Sequence, residues 1–427
     1  MDSTSFFQLS ILLIVAAFSI PISRRFSIVE IPILIALGLI LGPLTGVISH
    51  TFAISLMSNF GSVGIGLLGI VIILYSESHH INFRVFRKQM VKIIMLDTLG
   101  LIVNALIAAT IFSVLTGAPY IVSFIFGAII SPTDPASIIP LFRKITVSED
   151  VSGILTGESM FNDPLGIILV YLGLAFIFPH MSEVAVFSVL SSNFGTVGGA
   201  FTYLLMQITI PAIAGAGIGF AIIYLNKIFD FENLLVGLLL GSILLEFYFF
   251  EAVSLTPFTA IIATGAVIGN YSDKSIFWER EDTFQRNLSY LAQSLIFLLL
   301  GSILTLTEIT TYAWLGVLLA LSVMFLARPV SVFPSLKIAD LLRKRVRISP
   351  KSKAFIAMVG PRGVVSVVMS AVPYAMGLKY NIPVLIKWGP IIYVVSSFVV
   401  LISIVLTTLY AHKLAEKLVI PTEAEMT

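Results

Sequence analysis

The sequence predicts an all-α polytopic membrane protein with about thirteen transmembrane helices, arranged as two inverted six-helix repeats. Three observations carry that prediction. Of 427 residues, 58% are hydrophobic and only 11% charged, with a mean hydropathy of +1.04, whereas a soluble domain carries about a quarter charged residues to cover its surface. Apolar runs of spanning length recur along the whole chain. Lys and Arg gather on alternate connections between those runs.

A spanning helix needs about 20 mostly apolar residues. On that rule the spans are 5–22, 29–48, 53–75, 90–116, 119–142, 151–178, 197–226, 232–250, 254–270, 287–306, 312–336, 353–376 and 383–410. The start, Met1-Asp2-Ser3-Thr4-Ser5-Phe6-Phe7, has no basic region and no small-residue cleavage site follows, so the first run is expected to remain as a span. The stretch 179–196 is the weakest, and its short run from Val184 to Leu190 is expected at the interface. The connections near 271–286 and 337–352 read as short charged loops, too small for a soluble domain.

Cytoplasmic connections collect Lys and Arg. Connections after odd-numbered spans, with the tail, hold 21 of the 25 basic residues; the other side holds Lys379 and Lys387. The N-terminus is therefore expected outside and the C-terminus in the cytoplasm. A net charge of +2 gives no reason to expect a nucleic-acid partner. With no cysteine, disulfides, thiolate metal sites and cysteine nucleophiles are excluded. His50, His79, His80, His180 and His412 lie in or beside predicted loops without metal-ligand spacing, and read as solvated.

An ionisable group inside a span costs about 2.5–3.5 kcal/mol and usually faces protein or water. Asp97, Asp134, Glu158, Asp163, Arg328 and Arg362 are such groups; Glu246 lies nearer a span end. At 1.5 Å per residue, Asp134 lies roughly 12 Å and Asp163 roughly 18 Å from the cytoplasmic ends of their spans. Arg328 and Arg362 fall at similar depth in the eleventh and twelfth spans, near the midplane of a core about 30 Å thick.

The local sequence sharpens this. Ser131-Pro132-Thr133-Asp134-Pro135 and Gly360-Pro361-Arg362-Gly363 should break the fifth and twelfth spans, because proline removes a donor and clashes with the preceding turn. Freed carbonyls at membrane depth must line a cavity or meet protein partners; with the Thr133 hydroxyl they are oxygen ligands for a small cation. In Gly157-Glu158-Ser159-Met160-Phe161-Asn162-Asp163-Pro164, the pairs Glu158/Asn162 and Ser159/Asp163 lie four residues apart on adjoining stripes of one helix face. With the seventh span as linker, the two broken spans are each fifth in a six-helix half, and Asp97 and Arg328 sit on the fourth. Repeat architectures place discontinuous helices in this way. Asp97 and Arg362 could neutralise broken-helix dipoles or simply orient helices. Glu77, in Tyr75-Ser76-Glu77-Ser78, could line an entry funnel or begin a solvated loop.

These motifs resemble the monovalent cation:proton antiporters, in the prokaryotic Na⁺/H⁺ exchanger branch with Asn-Asp rather than Asp-Asp. The resemblance runs through Ile31-Pro32, Gly38-Leu39 and Gly42-Pro43, Leu96-Asp97, Thr133-Asp134-Pro135, Glu158-Ser159 with Asn162-Asp163-Pro164, Leu300-Gly301, Ala327-Arg328-Pro329 and Gly360-Pro361-Arg362-Gly363. It implies that Asp163 binds Na⁺ or H⁺ in turn, with Ser159, Thr133 and Asp134 completing the cation shell. It also implies that Glu158 pairs with Arg328 and that Asn162 holds the arrangement. By the same resemblance the protein is a homodimer in a prokaryotic plasma membrane. A transport bundle of about 90–178 with 312–410, and parts of 53–75 and 287–306, would move against dimerisation helices of about 5–48 and 197–270. Many relatives carry a glutamate where this chain aligns Ser76, which leaves Glu77 one place along.

The expected function is exchange of Na⁺ or Li⁺ for H⁺ by competition at one carboxylate, with alternating access and 1:1 electroneutral stoichiometry. No cofactor and no enzymatic activity are implied; the partners are monovalent cations, protons and the lipid bilayer. A K⁺/H⁺ antiporter is the main alternative, since site radius is not written in sequence. A cation channel would use the same ligands without proton coupling. An intramembrane aspartyl protease fits poorly, because Asp163 lacks a Gly-x-Gly-Asp setting.

Overall fold

The computed structural model describes residues 3–26, 30–58, 65–81, 83–134, 148–273, 275–343 and 347–419, and no strand occurs among them. A helix falls in every predicted interval. The first half comprises α1 (Ser3–Phe26), α2 (Glu30–Leu39), α3 (His50–Ser58), α4 (Ile65–His79), α5 (Phe83–Met95), α6 (Leu101–Thr116), α7 (Tyr120–Ile130) and α8 (Glu149–Ile177). There follow α9 (Ala185–Phe229), α10 (Leu235–Ala252), α11 (Pro257–Tyr271), α12 (Ile276–Ile303) and α13 (Leu306–Ser322). The chain closes with α14 (Arg328–Leu342), α15 (Pro350–Met358), α16 (Val364–Lys379) and α17 (Pro383–Leu418). Among the described residues, seven helical stretches are long and apolar enough to cross a membrane unaided. The chain is a multi-pass membrane protein.

Helices outrun the apolar intervals wherever charge begins. The fourth interval starts at Phe83 rather than residue 90, and the tenth at Ile276 rather than 287. Most of the expected loops at 271–286 and 337–352 are therefore helix. Hydropathy detects lipid contact, whereas the backbone ladder continues through Arg84, Arg87 and Lys88, or through the Asp282–Arg286 pair at 3.2 Å. Within the third interval, α3 and α4 are separate helices, and residues 59–64 lie outside the described residues. The run Val184–Leu190 enters α9, with Phe187 buried edge-on against Phe176 and Tyr203. Gly195 then bends α9 with φ +71°, a conformation that disfavours a Cβ.

Wide π-type turns occupy Ile40–Leu44, Leu96–Gly100 and Val323–Ala327. Two of these join α5 to α6 and α13 to α14, so the fourth span of each half carries one. Pro329 explains the latter, having no amide hydrogen for the turn before it. A widened fourth span, followed by a helix that ends inside its predicted interval (at Ile130 and at Met358), is thus common to both halves among the described residues.

Two weak sequence signals meet in space. On α2, Gly38 faces Gly301 of α12, and a Cβ on either would lie 3.0 Å from the other's Cα. Such close backbone approach is how membrane helices pack without large side chains. α12 packs on α1, α2 and α4, and α11 packs on α4 and α9. α5–α8 and α13–α17 pack among themselves, while α4 also touches α8 and α16. α4 therefore stands between two groups of helices.

Candidate functional site

The site forms where the unwound end of α7 meets the break between α15 and α16. α7 ends at Ile130 and residues 131–134 leave the helix; α15 ends at Met358 and α16 resumes at Val364. Pro135 and the remainder of the fifth interval lie outside the described residues. At the crossing the Asp134 amide donates to the Pro361 carbonyl at 2.8 Å. Gly360 and Gly363 permit the approach. A Cβ on Gly360 would meet Arg328 Nε at 3.0 Å and Thr133 Cγ2 at 3.1 Å, and one on Gly363 would lie 2.6 Å from Asp134 Oδ2.

Unwinding frees backbone groups that hydrocarbon cannot satisfy, and their partners are identifiable. Arg362 donates Nη1 to the Ser131 carbonyl at 2.5 Å and the Pro132 carbonyl at 3.1 Å. A buried cation thereby stands at the negative end of α7. Asn104 of α6 also reaches the Ser131 carbonyl, at 3.4 Å. On α17, Ser403 accepts from the Arg362 amide at 3.0 Å, and the Tyr410 hydroxyl donates to the Met358 carbonyl. These two residues, two helical turns apart on one face, splint the gap between α15 and α16. Ser403→Ala and Tyr410→Phe each leave a backbone group unmet, at about 1–3 kcal/mol. Each is expected to raise the KM for the transported cation in a protein that still elutes as a folded species. An unchanged KM would mean that α17 supports the fold and not the site.

α8 supplies the opposite wall. Glu158 and Arg328 form a buried two-pronged pair, with Nη2 2.9 Å from Oε2 and Nη1 on Oε1. Arg328 Nη2 also reaches the Ile356 carbonyl at 3.4 Å. Asn162 donates its amide to Thr133 Oγ1 at 3.0 Å and to the Thr133 carbonyl at 3.3 Å, fixing the unwound strand of α7 against α8. Asp163 is buried at 7% exposure, and among the described residues it makes no hydrogen bond or ion pair. Ser159, one turn away, is buried at 6%. An intramembrane carboxylate without a partner is expensive unless a proton or a cation occupies it.

Glu77 belongs to this cluster. It lies within α4 rather than at a loop start, and Glu77 and Asp134 are the charged groups that act on Asp163. Glu77 and Asp134 also act on each other. Asp163, Asp134 and Glu77 carry carboxylate oxygens and Ser159 and Thr133 hydroxyl and carbonyl oxygens, the ligand type for hard cations, although among the described residues no three acids are gathered closely enough to hold a metal ion by themselves. Asp97 lies apart from them in its wide turn. Its two oxygens have no hydrogen-bond partner, and the charges acting on it are Glu158, Arg328 and Asp163. Among the described residues no hydrogen bond joins Asp97 to α7 or α16.

Sequence reasoning missed Asn104, Ser403 and Tyr410 as site residues, and left Glu77 between an entry funnel and a solvated loop. Only Glu77 left a readable signal: neither glycine nor proline follows Tyr75 before His79, so the helix had no reason to stop.

Comparison with known proteins gives a consistent result. The family described as "Sodium/hydrogen exchanger, transmembrane" matches residues 11–417. A Methanocaldococcus jannaschii protein named "Probable Na(+)/H(+) antiporter 2" is 30% identical over 429 residues, covering 95% of this chain and 95% of its own. "Na(+)/H(+) antiporter 1" of the same organism is 29% identical over 88% of this chain and 83% of its own. The structure of the sodium proton antiporter MjNhaP1 from that organism at pH 8 superposes with a TM-score of 0.83 at 26% identity, over 97% of this chain and 98% of that one.

Proposed function

The chain belongs to the sodium/hydrogen exchanger family, and from that premise we propose that it exchanges Na⁺ or Li⁺ for H⁺ at Asp163. One observation carries the assignment to that residue: Asp163 is buried, among the described residues without a hydrogen-bond or ion-pair partner, beside the unwound end of α7 and the break between α15 and α16. The uncompensated carboxylate accepts either a proton or a cation, so the two ligands compete. Ser159, the Thr133 carbonyl, Asp134 and Glu77 complete the cation shell. Asn162 positions Thr133, and the Glu158–Arg328 pair holds α8 to α14. Arg362 offsets the end of α7, and Asp97 lies where the charges of Glu158 and Arg328 act on it.

If the site crosses the membrane only when occupied, flux of one ion obliges counterflux of the other. With Asn162 neutral, and Glu158 tied to Arg328, one Na⁺ exchanges for one H⁺. Glu77 and Asp134 keep their protonation through the cycle in this reading. The moving unit is the bundle of about 90–178 with 312–410 and parts of 53–75 and 287–306, against about 5–48 and 197–270. Helix packing supports this division, because α4 and α12 border both groups. Exposed large apolar residues on α1 and α9, among them Phe18, Val197 and Ile213, suit contact with lipid or with a second copy in a homodimer. The Lys/Arg asymmetry supports an N-terminus outside and a C-terminus in the cytoplasm, and the likeness to prokaryotic exchangers supports a prokaryotic plasma membrane.

Proteoliposomes with a trapped pH dye test the proposal. A Na⁺ or Li⁺ jump is expected to move protons, and to move them at the same rate with the membrane potential clamped at zero or at −100 mV, about 2.3 kcal/mol per net charge. A rate that follows the potential excludes 1:1 exchange. Proton movement with K⁺ matching that with Na⁺ would replace the Na⁺ assignment by K⁺/H⁺ exchange. Passive cation flux without protons would replace exchange by a channel.

A further inference from the structure

Away from the cation site, the Lys/Arg-rich end of the helices gathers charge at one place. Arg343, just past α14, donates Nη1 to the Arg87 carbonyl at 3.2 Å and the Lys88 carbonyl at 3.4 Å on α5. Lys88 pairs with Asp150 of α8 at 2.6 Å, and Lys353 of α15 pairs with Asp340 of α14 at 2.5 Å. Lys92, one turn along α5 from Lys88, feels Asp340, Asp150, Arg343 and Lys353 together. Among the described residues, five cations thus meet two carboxylates, an excess of three positive charges. Among the described residues, neither Arg87 nor Arg343 has a carboxylate partner, and both are exposed.

The same two helices carry exposed apolar side chains next to these cations: Met90 and Ile94 on α5, Leu341 and Leu342 on α14. A surface where apolar side chains give way to exposed cations within one or two turns matches the boundary between acyl chains and headgroups. Holding Arg343 over α5 brings like charges together, which costs energy unless an anion lies among them. We propose that this cluster between α5, α8, α14 and α15 binds the phosphate headgroup of an anionic phospholipid.

Each of the four elements leads directly to the transport machinery. α5 runs into the turn with Asp97, α8 carries Asp163, α14 begins at Arg328, and α15 enters the interruption that contains Arg362. A bound headgroup neutralises the repulsion among their outer ends and ties those ends into one body. The site therefore makes the bundle's cohesion depend on lipid charge.

Binding is read on the purified full chain in neutral detergent, independently of any exchange. Native mass spectrometry and thermal unfolding are followed with added phosphatidylglycerol, phosphatidylcholine or inorganic phosphate. Phosphatidylglycerol is expected to be retained and to raise the melting temperature, while phosphatidylcholine and inorganic phosphate do neither. Arg87→Gln/Arg343→Gln should weaken phosphatidylglycerol about thirtyfold, from about 1 kcal/mol per basic residue at a membrane surface, whereas Lys227→Gln on α9 leaves it unchanged. If the double variant fails to fold, Arg87→Gln alone serves, since its side chain makes no hydrogen bond among the described residues; a loss of about fivefold is expected. Equal retention by native and variant, an equal loss in Lys227→Gln, or equal stabilisation by inorganic phosphate would each overturn the proposal.

Discussion

Asp163→Asn is expected to reduce Na⁺-driven proton movement in proteoliposomes to the level of empty vesicles, while the protein remains folded. The amide keeps the shape of the carboxyl group but takes up no proton and balances no cation, so both halves of the cycle stop together. Because Asp163 has no ion-pair or hydrogen-bond partner to lose, removing its charge takes away a desolvation cost and no favourable contact. The variant should therefore melt at or above the native temperature, an outcome unlike that of most buried substitutions. Competition also fixes a sign in the native protein: as the pH falls, protons hold more of the carboxylate, and the apparent KM for Na⁺ rises. Saturating Na⁺ should restore the rate at the acid end. Exchange surviving in a folded Asp163→Asn protein would move the ligand to Glu77 or Asp134, the other acids of the cluster. A KM for Na⁺ that does not change with pH would separate the cation and proton sites.

The features legible beforehand were those that violate membrane chemistry within a short stretch of sequence. A carboxylate followed by proline, two prolines three residues apart, or a cation directly after proline is costly in an apolar run, and Asp163, Pro132 and Arg362 announced themselves in that way. Ser403, Tyr410 and Asn104 did not, because a lone polar residue in a span usually bonds its own helix backbone. Their role exists only once another helix offers an unwound carbonyl or amide. Glu77 was discounted for a different reason: the apolar run ends at Tyr75, whereas α4 continues to His79 and carries the acid back towards Asp134. The same distinction between apolar length and helix length hid the starts of α5 and α12. Gly38 and Gly301, weak signals when read singly, gain meaning only as partners across 263 residues of chain.

The largest loss of stability is expected from Arg328→Met. That guanidinium serves two buried acids at once: it pairs with Glu158 through both nitrogens, and it is the one cation among the charges that act on Asp97. Removing it strands one carboxylate that had a partner and a second that never made a hydrogen bond. Breaking a buried pair from one side costs about 3–5 kcal/mol, because the remaining charge keeps its desolvation penalty. Neutralising the acids should then restore stability stepwise. Glu158→Gln/Arg328→Met should recover part of the loss, and adding Asp97→Asn should recover most of the rest, since neither acid that Arg328 served can then carry a charge. Melting temperatures in one detergent, ordered single, double and triple from lowest to highest, check the sequence. If the double variant already matches the triple, Asp97 carries no charge that Arg328 offsets. If the triple stays as low as the single, the Arg328 bond to the Ile356 carbonyl matters more than the ion pair, and α14 holds the interrupted helix through the backbone. Exchange measured on a stable triple variant separates support from chemistry: activity there leaves Asp163 as the carboxylate that transport needs, with the pair acting as its brace.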